Sequence, residues 1–293
     1  MLPRRAAHSE TLGNNATAMT TYKTGFRCLL AAVVSLLCAA PLRVLGATPV
    51  EKLAPGVAFL RKDDAKESLA GTGFFIHSAE TLYLVTASHV SNILSLASPI
   101  TVATSAGRPF TFPLQSLVPK SPAPVWVVHP RADVAALRVT PAPDFLKNHL
   151  AGHFMPSSWL ERAKEAPLRA ITVTVLGFPL QLGVSQYFSP ISRETKAASG
   201  LLELPRFDTK ALSTFFVTQD PSVGGFSGAP VFDTGLPYST ENVGLSVRVG
   251  AEPRIVGLVH GTLSDNTGGK LGAIVPAFII LEVLEQARSE SPR

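Results

Sequence analysis

Short apolar runs separated by turn-rich stretches dominate residues 57–139. Six such runs occur there, in the order VAFL, GTGFFI, TLYLVTA, ITVATSA, VWVV and VAALRV. Each run has the length of a strand, and the intervening segments are rich in Pro, Ser and Thr, which favour turns and loops. The pattern predicts a six-stranded half that spans about residues 50–140.

A second set of six apolar runs fills about residues 170–276, in the order AITVTVLGF, VSQYFSPISRET, FFVTQD, APVFD, RIVGLVHGTL and LGAIVPA. Between the halves, residues 141–169 form a predicted connection with one short helix near 156–165. The last run, PAFIILEVLEQARSE, has apolar residues at helical spacing with charges between them, which predicts an amphipathic helix over about 276–288. We therefore predict an all-β fold of two six-stranded antiparallel β-barrels with a C-terminal helix.

The composition agrees with this reading. The 293 residues include 22 glycines and 24 prolines, which suits many short strands and tight turns better than helical bundles. The length is sufficient for a large core built from two barrels.

Residues 1–47 form a predicted leader. Lys23 and Arg27 precede an apolar run over 28–40, and the small-residue segment PLRVLGA follows, which is the order of regions in a secretory signal peptide. The apolar run is shorter than the roughly 18–20 residues that a membrane span needs. We expect cleavage near Gly46 or Ala47, no stable membrane anchor, and a mature domain over 48–293 that is periplasmic or secreted.

The leader also accounts for most of the charge and for both cysteines. It holds five Lys/Arg residues and one acidic residue, so its removal lowers the formal net charge from +5 to about +1. Nucleic-acid binding is therefore not expected. Cys28 and Cys38 leave with the leader, which excludes a thiol protease. Lipid attachment at Cys38 is disfavoured because the bulky Leu37 precedes it.

Three polar residues stand where a hydrolytic triad needs them. Ser227 lies in GGFSGAPV, His89 follows the strand-like run TLYLVTAS, and Asp133 opens the run DVAALRV. A serine hydroxyl needs a base to accept its proton, and an imidazolium needs a fixed anion that holds its tautomer, so we assign these roles to His89 and Asp133. The backbone N–H groups of Gly225 and Ser227 are the predicted oxyanion donors.

These segments resemble the chymotrypsin-like (trypsin-fold) serine endopeptidases, and more narrowly their bacterial branch that includes the HtrA enzymes. YLVTASHV is similar to the T-A-x-H histidine segment, ADVAALRV to the D-x-A-L aspartate block, and GGFSGAPVF to the G-x-S-G-x-P nucleophile loop. The resemblance implies hydrolysis of protein or peptide substrates through an acyl-enzyme on Ser227, without a cofactor. It also implies a protease domain without the PDZ modules of HtrA enzymes.

Two residues of the nucleophile loop depart from the family pattern. Phe226 occupies the position where trypsin-type zymogens carry an aspartate that captures a newly cut N-terminus, so we do not expect activation by that salt bridge. Ala229 replaces the commoner second glycine after the serine. Alanine is small enough to leave the oxyanion donors unobstructed.

The substrate pocket is less well defined by the sequence. RIVGLVHGT resembles the strand that walls the pocket in this family, and similar glutamyl endopeptidases use a histidine near this point to bind an acidic side chain. His260, with Thr262 or Ser222, is the candidate for that role, and the alternative is a histidine that only fills the pocket edge. Asp220 lies one residue too far from Ser227 for a trypsin-like pocket aspartate, which favours a loop role. The cleavage specificity stays open.

Three other histidines carry no predicted chemistry. His149 and His153 are four residues apart in NHLAGH, but no glutamate follows the first histidine and no third ligand is evident. We therefore predict two solvated histidines and no metal site. His129 lacks the T-A-x-H frame and is predicted to lie at the surface. The rival function for the whole chain is a catalytically inactive protease-fold protein that serves as a binding or scaffold module.

Overall fold

The computed structural model describes residues 49–62, 69–123, 125–169, 171–234 and 252–290. All of them belong to one compact unit, Ala47–Arg293. The predicted leader and its cleavage site lie outside the described residues. Within the part of the chain that the structure describes, no helix is both long and apolar enough to cross a membrane.

Eight strands form the first sheet. They are β1 (Val57–Arg61), β2 (Ala70–Ser78), β3 (Thr81–Thr86), β4 (Pro99–Ala103), β5 (Pro109–Pro113), β6 (Trp126–Val128), β7 (Ala135–Val139) and β8 (Met155–Pro156). The spatial order is β5-β4-β1-β2-β3-β7-β6, and β8 pairs with β2. Every pairing is antiparallel except that of β8, which is parallel to β2.

Seven strands form the second sheet. They are β9 (Thr172–Gly177), β10 (Ile191–Lys196), β11 (Leu202–Pro205), β12 (Leu212–Thr218), β13 (Pro230–Asp233), β14 (Arg254–Ser264) and β15 (Lys270–Pro276). The order is β10-β9-β13-β14-β15-β12-β11, and all neighbours are antiparallel. The strands β11 and β12 form a hairpin at the edge of this sheet.

Helices are few and mostly short. They are α1 (Pro49–Leu53), α2 (Ser88–Ser91), α3 (Pro143–Phe145), which runs into a π-turn over Leu146–Leu150, and α4 (Ala277–Ser289). Single 3-10 turns lie at Ala54–Gly56, Leu114–Leu117, Ser157–Trp159 and Pro179–Gln181. The predicted helix near 156–165 is therefore only one turn, whereas α4 confirms the predicted C-terminal helix and buries Ile280 and Val283.

The prediction of an all-β double barrel is confirmed, and the strand counts are higher than the predicted six in each half. Three additional strands, β5, β8 and β11, account for the difference. The strand β5 has proline at both ends, β8 has only two residues, and β11 has four. Such strands carry too little alternation of apolar and polar residues to be recognised from sequence.

The two sheets meet across a junction that is closely packed. The rings of Phe59 in β1 and Phe178 after β9 lie edge to face, 5.5 Å apart. A larger cluster of buried residues joins the first sheet, part of the second sheet and α4, and a smaller cluster that includes Val173 and Phe226 fills the second sheet. Burial of each large apolar side chain stabilises the fold by about 1.5–3 kcal/mol. This junction also holds the predicted site residues.

Candidate active site

His89 lies on a single helical turn and not, as the sequence indicated, at a strand end. The strand β3 ends at Thr86, and α2 begins at Ser88. The first turn of a helix leaves backbone N–H groups without intrahelical acceptors, and here Asp133 supplies one. Its Oδ1 accepts the backbone N–H of His89 at 3.0 Å and the hydroxyl of Ser88 at 2.6 Å. The carboxylate therefore fixes the turn that carries the histidine.

Asp133 also orients the imidazole ring. It precedes β7 by two residues, and its side chain is fully buried. Its Oδ2 lies 2.7 Å from Nδ1 of His89. A carboxylate can only accept a hydrogen bond at this distance, so Nδ1 carries the proton and Nε2 of the neutral ring has a free lone pair. This tautomer is the one that a general base requires.

His260 provides a second hydrogen bond to the same carboxylate oxygen, with its Nδ1 2.5 Å from Oδ2 of Asp133. Its Nε2 accepts the backbone N–H of Phe207 at 3.3 Å. The ring is fully buried and stacks between Phe207 and Phe215, with centroids 4.3 and 4.9 Å away. Both ring nitrogens are therefore engaged within the protein.

This placement of His260 differs from the predicted position in the wall of a substrate pocket. The pairing of β14 with β15 shifts register between Val259 and Gly261, so that His260 stands at a β-bulge. A bulge turns a side chain away from the direction that strict alternation would give it. The bulge accounts for the placement of the imidazole beside Asp133, and no feature of the apolar pattern predicts it.

Arg206 is a member of this network that the sequence did not reveal. It lies in the turn of the β11–β12 hairpin and is 5% exposed. Its Nη2 donates to Oδ1 of Asp133 at 3.2 Å and to the hydroxyl of Ser88 at 2.8 Å. Asp208, two residues later, accepts from Nε of Arg206 at 2.9 Å and also from Nη2. Arg206 is more than 70 positions from both Ser88 and Asp133 in the sequence, and the segment around it contains no recognisable motif.

These contacts determine the charge state of Asp133. Burial, the strongest single influence, would raise the pKa of the Asp133 carboxyl. The hydrogen bonds from His260 and His89 and the positive charge of these rings when protonated outweigh that effect, so the pKa lies far below its ordinary value. Asp133 is therefore an anion at neutral pH.

Ser227 lies where the two sheets meet, because it is hydrogen-bonded to β2 of the first sheet and to β14 of the second. Its carbonyl accepts the backbone N–H of Thr72 in β2 at 2.8 Å, which ties the loop to the first sheet. Gly228 has φ +82°, and a Cβ there would come within 2.2 Å of the Thr72 carbonyl, so only glycine allows this approach. The Ser227 hydroxyl donates to the backbone carbonyl of His260 at 3.4 Å. Among the described residues, no hydrogen bond joins this hydroxyl to His89.

The predicted oxyanion donors point away from the loop's internal hydrogen bonds. The carbonyl of Gly224 accepts from the N–H of Leu180, and the carbonyl of Phe226 accepts from the N–H of Ala229, both at 2.8 Å. In a planar trans peptide the N–H is directed opposite to the carbonyl. The N–H groups of Gly225 and Ser227 therefore each point away from the hydrogen bond that the carbonyl of the same peptide accepts. Neither N–H has an acceptor within the described ranges. Gly225 adopts φ +101° to make this turn.

The predicted pocket residues Thr262 and Ser222 are hydrogen-bonded to each other. The hydroxyl of Thr262 donates to the carbonyl of Ser222 at 2.8 Å. A small hollow beside Ser222 is also lined by Val259, Gly272 and Asp220. The Asp220 side chain is 48% exposed and lies 3.9 Å from the guanidinium of Arg193, which agrees with the predicted loop role.

Phe226 fills the position of the zymogen aspartate with an apolar ring. It is 2% exposed and belongs to the smaller apolar cluster, with Val231 and Ile274. A charged amine would be buried there without a carboxylate partner, which is strongly unfavourable.

The remaining histidines are structural, and two of them are less solvated than predicted. His153 is 6% exposed, with Nε2 2.9 Å from the carbonyl of Ala103. His149 stacks on the ring of Phe110 with centroids 4.2 Å apart. The prediction that both are solvated is therefore wrong for His153, because the chain after the π-turn folds back onto β4.

His129 is also largely buried, with 12% of its side chain exposed. Its Nδ1 accepts the backbone N–H groups of Arg131 and Ala132 at 3.2 and 2.8 Å, while Nε2 lies 3.4 Å from Glu282 of α4. Burial lowers the pKa of His129, although the hydrogen bond to Glu282 opposes this effect. The neutral ring thus shapes the loop that leads to Asp133.

One cluster in the described residues has the composition of a metal site. Ligand atoms of His89, Asp133 and His260 lie within 4.8 Å of one another. However, both Nδ1 atoms face the same carboxylate oxygen at hydrogen-bond distance, so their protons occupy the space that an ion would need. The geometry is that of a hydrogen-bonded network and does not fit a metal ligand set.

Comparisons with known proteins agree with this fold. No protein-family model and no curated protein matches the chain. Among solved structures, the chain is 20% identical to the inactive form of a serine-to-alanine mutant of Rv3671c from M. tuberculosis H37Rv. The TM-score is 0.50, and the match covers 87% of this chain and 98% of that chain.

Two further structures are similar. The HtrA-type protease AlgW with tripeptide is 20% identical with a TM-score of 0.51, over 81% of this chain and 62% of the AlgW chain. A serine endoprotease from Yersinia pestis is 17% identical with a TM-score of 0.49, over 83% of this chain and 66% of that chain. At these identities the likeness to Rv3671c and AlgW shows the fold, which is that of the chymotrypsin-like serine proteases.

Proposed function

We propose that this protein is a serine endopeptidase that hydrolyses peptide bonds through an acyl-enzyme on Ser227. One observation carries the proposal. Asp133 holds Nδ1 of His89 at 2.7 Å, and among the described residues the N–H groups of Gly225 and Ser227 have no acceptor. A base of fixed tautomer and a pair of unused donors are what acyl transfer by a serine requires.

In the proposed reaction, Ser227 leaves the His260 carbonyl and gives its proton to Nε2 of His89 as its oxygen attacks the substrate carbonyl. Asp133 stabilises the imidazolium that forms. The oxyanion receives hydrogen bonds from Gly225 and Ser227, and His89 then returns the proton to the leaving amine. A water molecule, activated by the same histidine, releases the acyl group.

Protein or peptide substrates follow from the proposed chemistry. The hollow beside Ser222 is the candidate pocket for the side chain before the scissile bond. An acidic specificity that depends on His260 would need a ring nitrogen free for substrate, and both nitrogens are engaged. We further propose that residues 1–47 direct export and are removed. N-terminal sequencing of protein recovered from the periplasm or medium tests this proposal.

The proposed activity is tested by digestion of an unfolded protein and of a peptide library. Ser227→Ala should lower turnover by on the order of 10³ or more with unfolding unchanged. Ser192→Ala, an exposed serine on β10, is the matched control and should retain full activity. Equal digestion by Ser227→Ala and by the native protein would refute the proposal.

One observation favours the rival function, an inactive protease-fold binding protein. The Ser227 hydroxyl is hydrogen-bonded to the His260 carbonyl and not to His89. Nucleophile and base are often loosely placed without substrate, so we retain the enzyme as the conclusion. A folded native protein that binds peptides but cleaves none of them would favour the rival.

A further inference from the structure

The turn between β11 and β12 holds its side chains in fixed positions beside Asp133. The backbone N–H of Arg206 donates to the carbonyl of Ala211 at 2.9 Å, and that of Lys210 donates to the carbonyl of Arg206 at 3.1 Å. Lys210 adopts φ +61° to close the turn. Arg206 then extends to the first sheet, where it also donates to the backbone carbonyl of Arg131 at 3.3 Å.

The guanidinium of Arg206 bridges two carboxylates. One belongs to Asp133, at 3.2 Å, and the other to Asp208, which binds both Nε and Nη2. The side chain of Asp208 is 16% exposed, although its backbone lies at the surface. Two carboxylates and one guanidinium leave a net charge of −1 beside His89, which matches the single positive charge that the ring acquires as a base.

We propose that Arg206 and Asp208 are positioning residues, a charge-balanced pair that holds Asp133 and sets the pH at which His89 takes up a proton. The inference rests on the proposed function, since it assigns His89 as the base. Other polar or charged groups near His89 are Asp133 and His260, and Arg131 and His129 flank Asp133 along the chain. The ring of Phe207, with its centroid 5.0 Å from that of His89, also packs against the histidine and is uncharged.

Coulomb's law gives the direction of each effect. A positive charge near His89 opposes protonation of the ring, and a negative charge favours it. Loss of the Arg206 charge should therefore let His89 keep its proton to a higher pH, and loss of the Asp208 charge should make it release its proton at a lower pH. For a largely buried unit charge within several ångströms, the shift is about one pH unit.

The experiment is an NMR titration of the histidine ring resonances in the full-length protein. The variants are Arg206→Gln, Asp208→Asn and Arg206→Lys, with exposed Lys210→Gln as the control from the same turn. We expect the midpoint of the His89 titration to rise by about one pH unit in Arg206→Gln and to fall by roughly half a unit in Asp208→Asn. Arg206→Lys keeps the charge and should titrate like the native protein, as should Lys210→Gln, whose charge is screened by solvent.

Shifts in opposite directions support the inference, because a merely structural role would give no sign reversal. Shifts of the same sign, or no shift in a folded variant, would overturn it. If Arg206→Gln does not fold, Asp208→Asn decides alone, since an unchanged midpoint there contradicts the charge balance. The titration needs no turnover, so it succeeds or fails separately from the digestion that tests the proposed function.

Discussion

The group that orients the base and the predicted oxyanion donors differ in how far their hydrogen bonds are made. Around the base, Asp133 accepts hydrogen bonds from Ser88 and from the backbone and ring of His89, and also from Arg206 and His260, which the second sheet supplies. On the side of the second sheet, the N–H groups of Gly225 and Ser227 are held by the geometry of their neighbours without acceptors in the described residues. The protein itself supplies every hydrogen bond that orients the base, whereas the predicted oxyanion donors have no partner among the described residues.

The largest expected effect comes from Asp133→Asn, which disrupts the hydrogen bonds that orient the base. The amide presents an N–H where the carboxylate accepted, which favours the wrong tautomer of His89 and removes one of the two carboxylates that pair with Arg206. We expect turnover to fall by about 10⁴-fold and the free energy of unfolding to fall by about 3 kcal/mol or more. Steady-state kinetics and thermal unfolding measure the two effects, and a variant with near-native turnover would contradict the role of Asp133.

A smaller effect is expected from Gly225→Ala, which changes a predicted oxyanion donor. A Cβ at this position would come within 2.2 Å of the Phe178 carbonyl, and the backbone has φ +101°, so the peptide must move and the donor with it. Turnover should fall by about 10²–10³-fold with little change in KM. Gly224→Ala is the matched control, since no atom lies within 4 Å of its Cβ. Equal activities of the two variants would show that Gly225 is not an oxyanion donor.

The smallest effect concerns His129, which holds the loop that leads to Asp133. Because burial lowers the pKa of His129 below its ordinary value near 6.5, the native state binds fewer protons than the unfolded state. Stability should therefore decline as pH falls from about 6.5 through the lower native value.

The variant His129→Asn isolates this contribution. Its side-chain oxygen can accept the N–H groups of Arg131 and Ala132 but does not titrate. Denaturant unfolding between pH 5 and 7 should give a flatter dependence for His129→Asn than for the native protein. The same slope in both proteins would exclude His129 as the titrating group.

The sequence could predict the site residues that stand in local motifs. His89, Asp133 and Ser227 stand in short local motifs, and the structure brings all three to the junction of the sheets, with Gly225 in the turn before Ser227. Their catalytic roles stay predictions. Apolar runs in the sequence predicted twelve of the strands, while β5, β8 and β11 did not stand out as such runs.

Long-range contacts were not predictable in this way. Arg206 meets Asp133 across 73 residues of chain, and nothing in LELPRFDTK indicates a buried cation. His260 is directed by a β-bulge, which changes the direction of one side chain and leaves no mark on the apolar pattern. The burial of His153 likewise depends on a turn that packs against another strand.

The most direct test of the account is covalent labelling with a serine-reactive fluorophosphonate, followed by mass-spectrometric mapping of the modified peptide. We predict one adduct, on Ser227, that is lost in Ser227→Ala and strongly slowed in Asp133→Asn. Folded protein that takes no label, or an adduct on another serine, would contradict the assignment of Ser227 as the nucleophile.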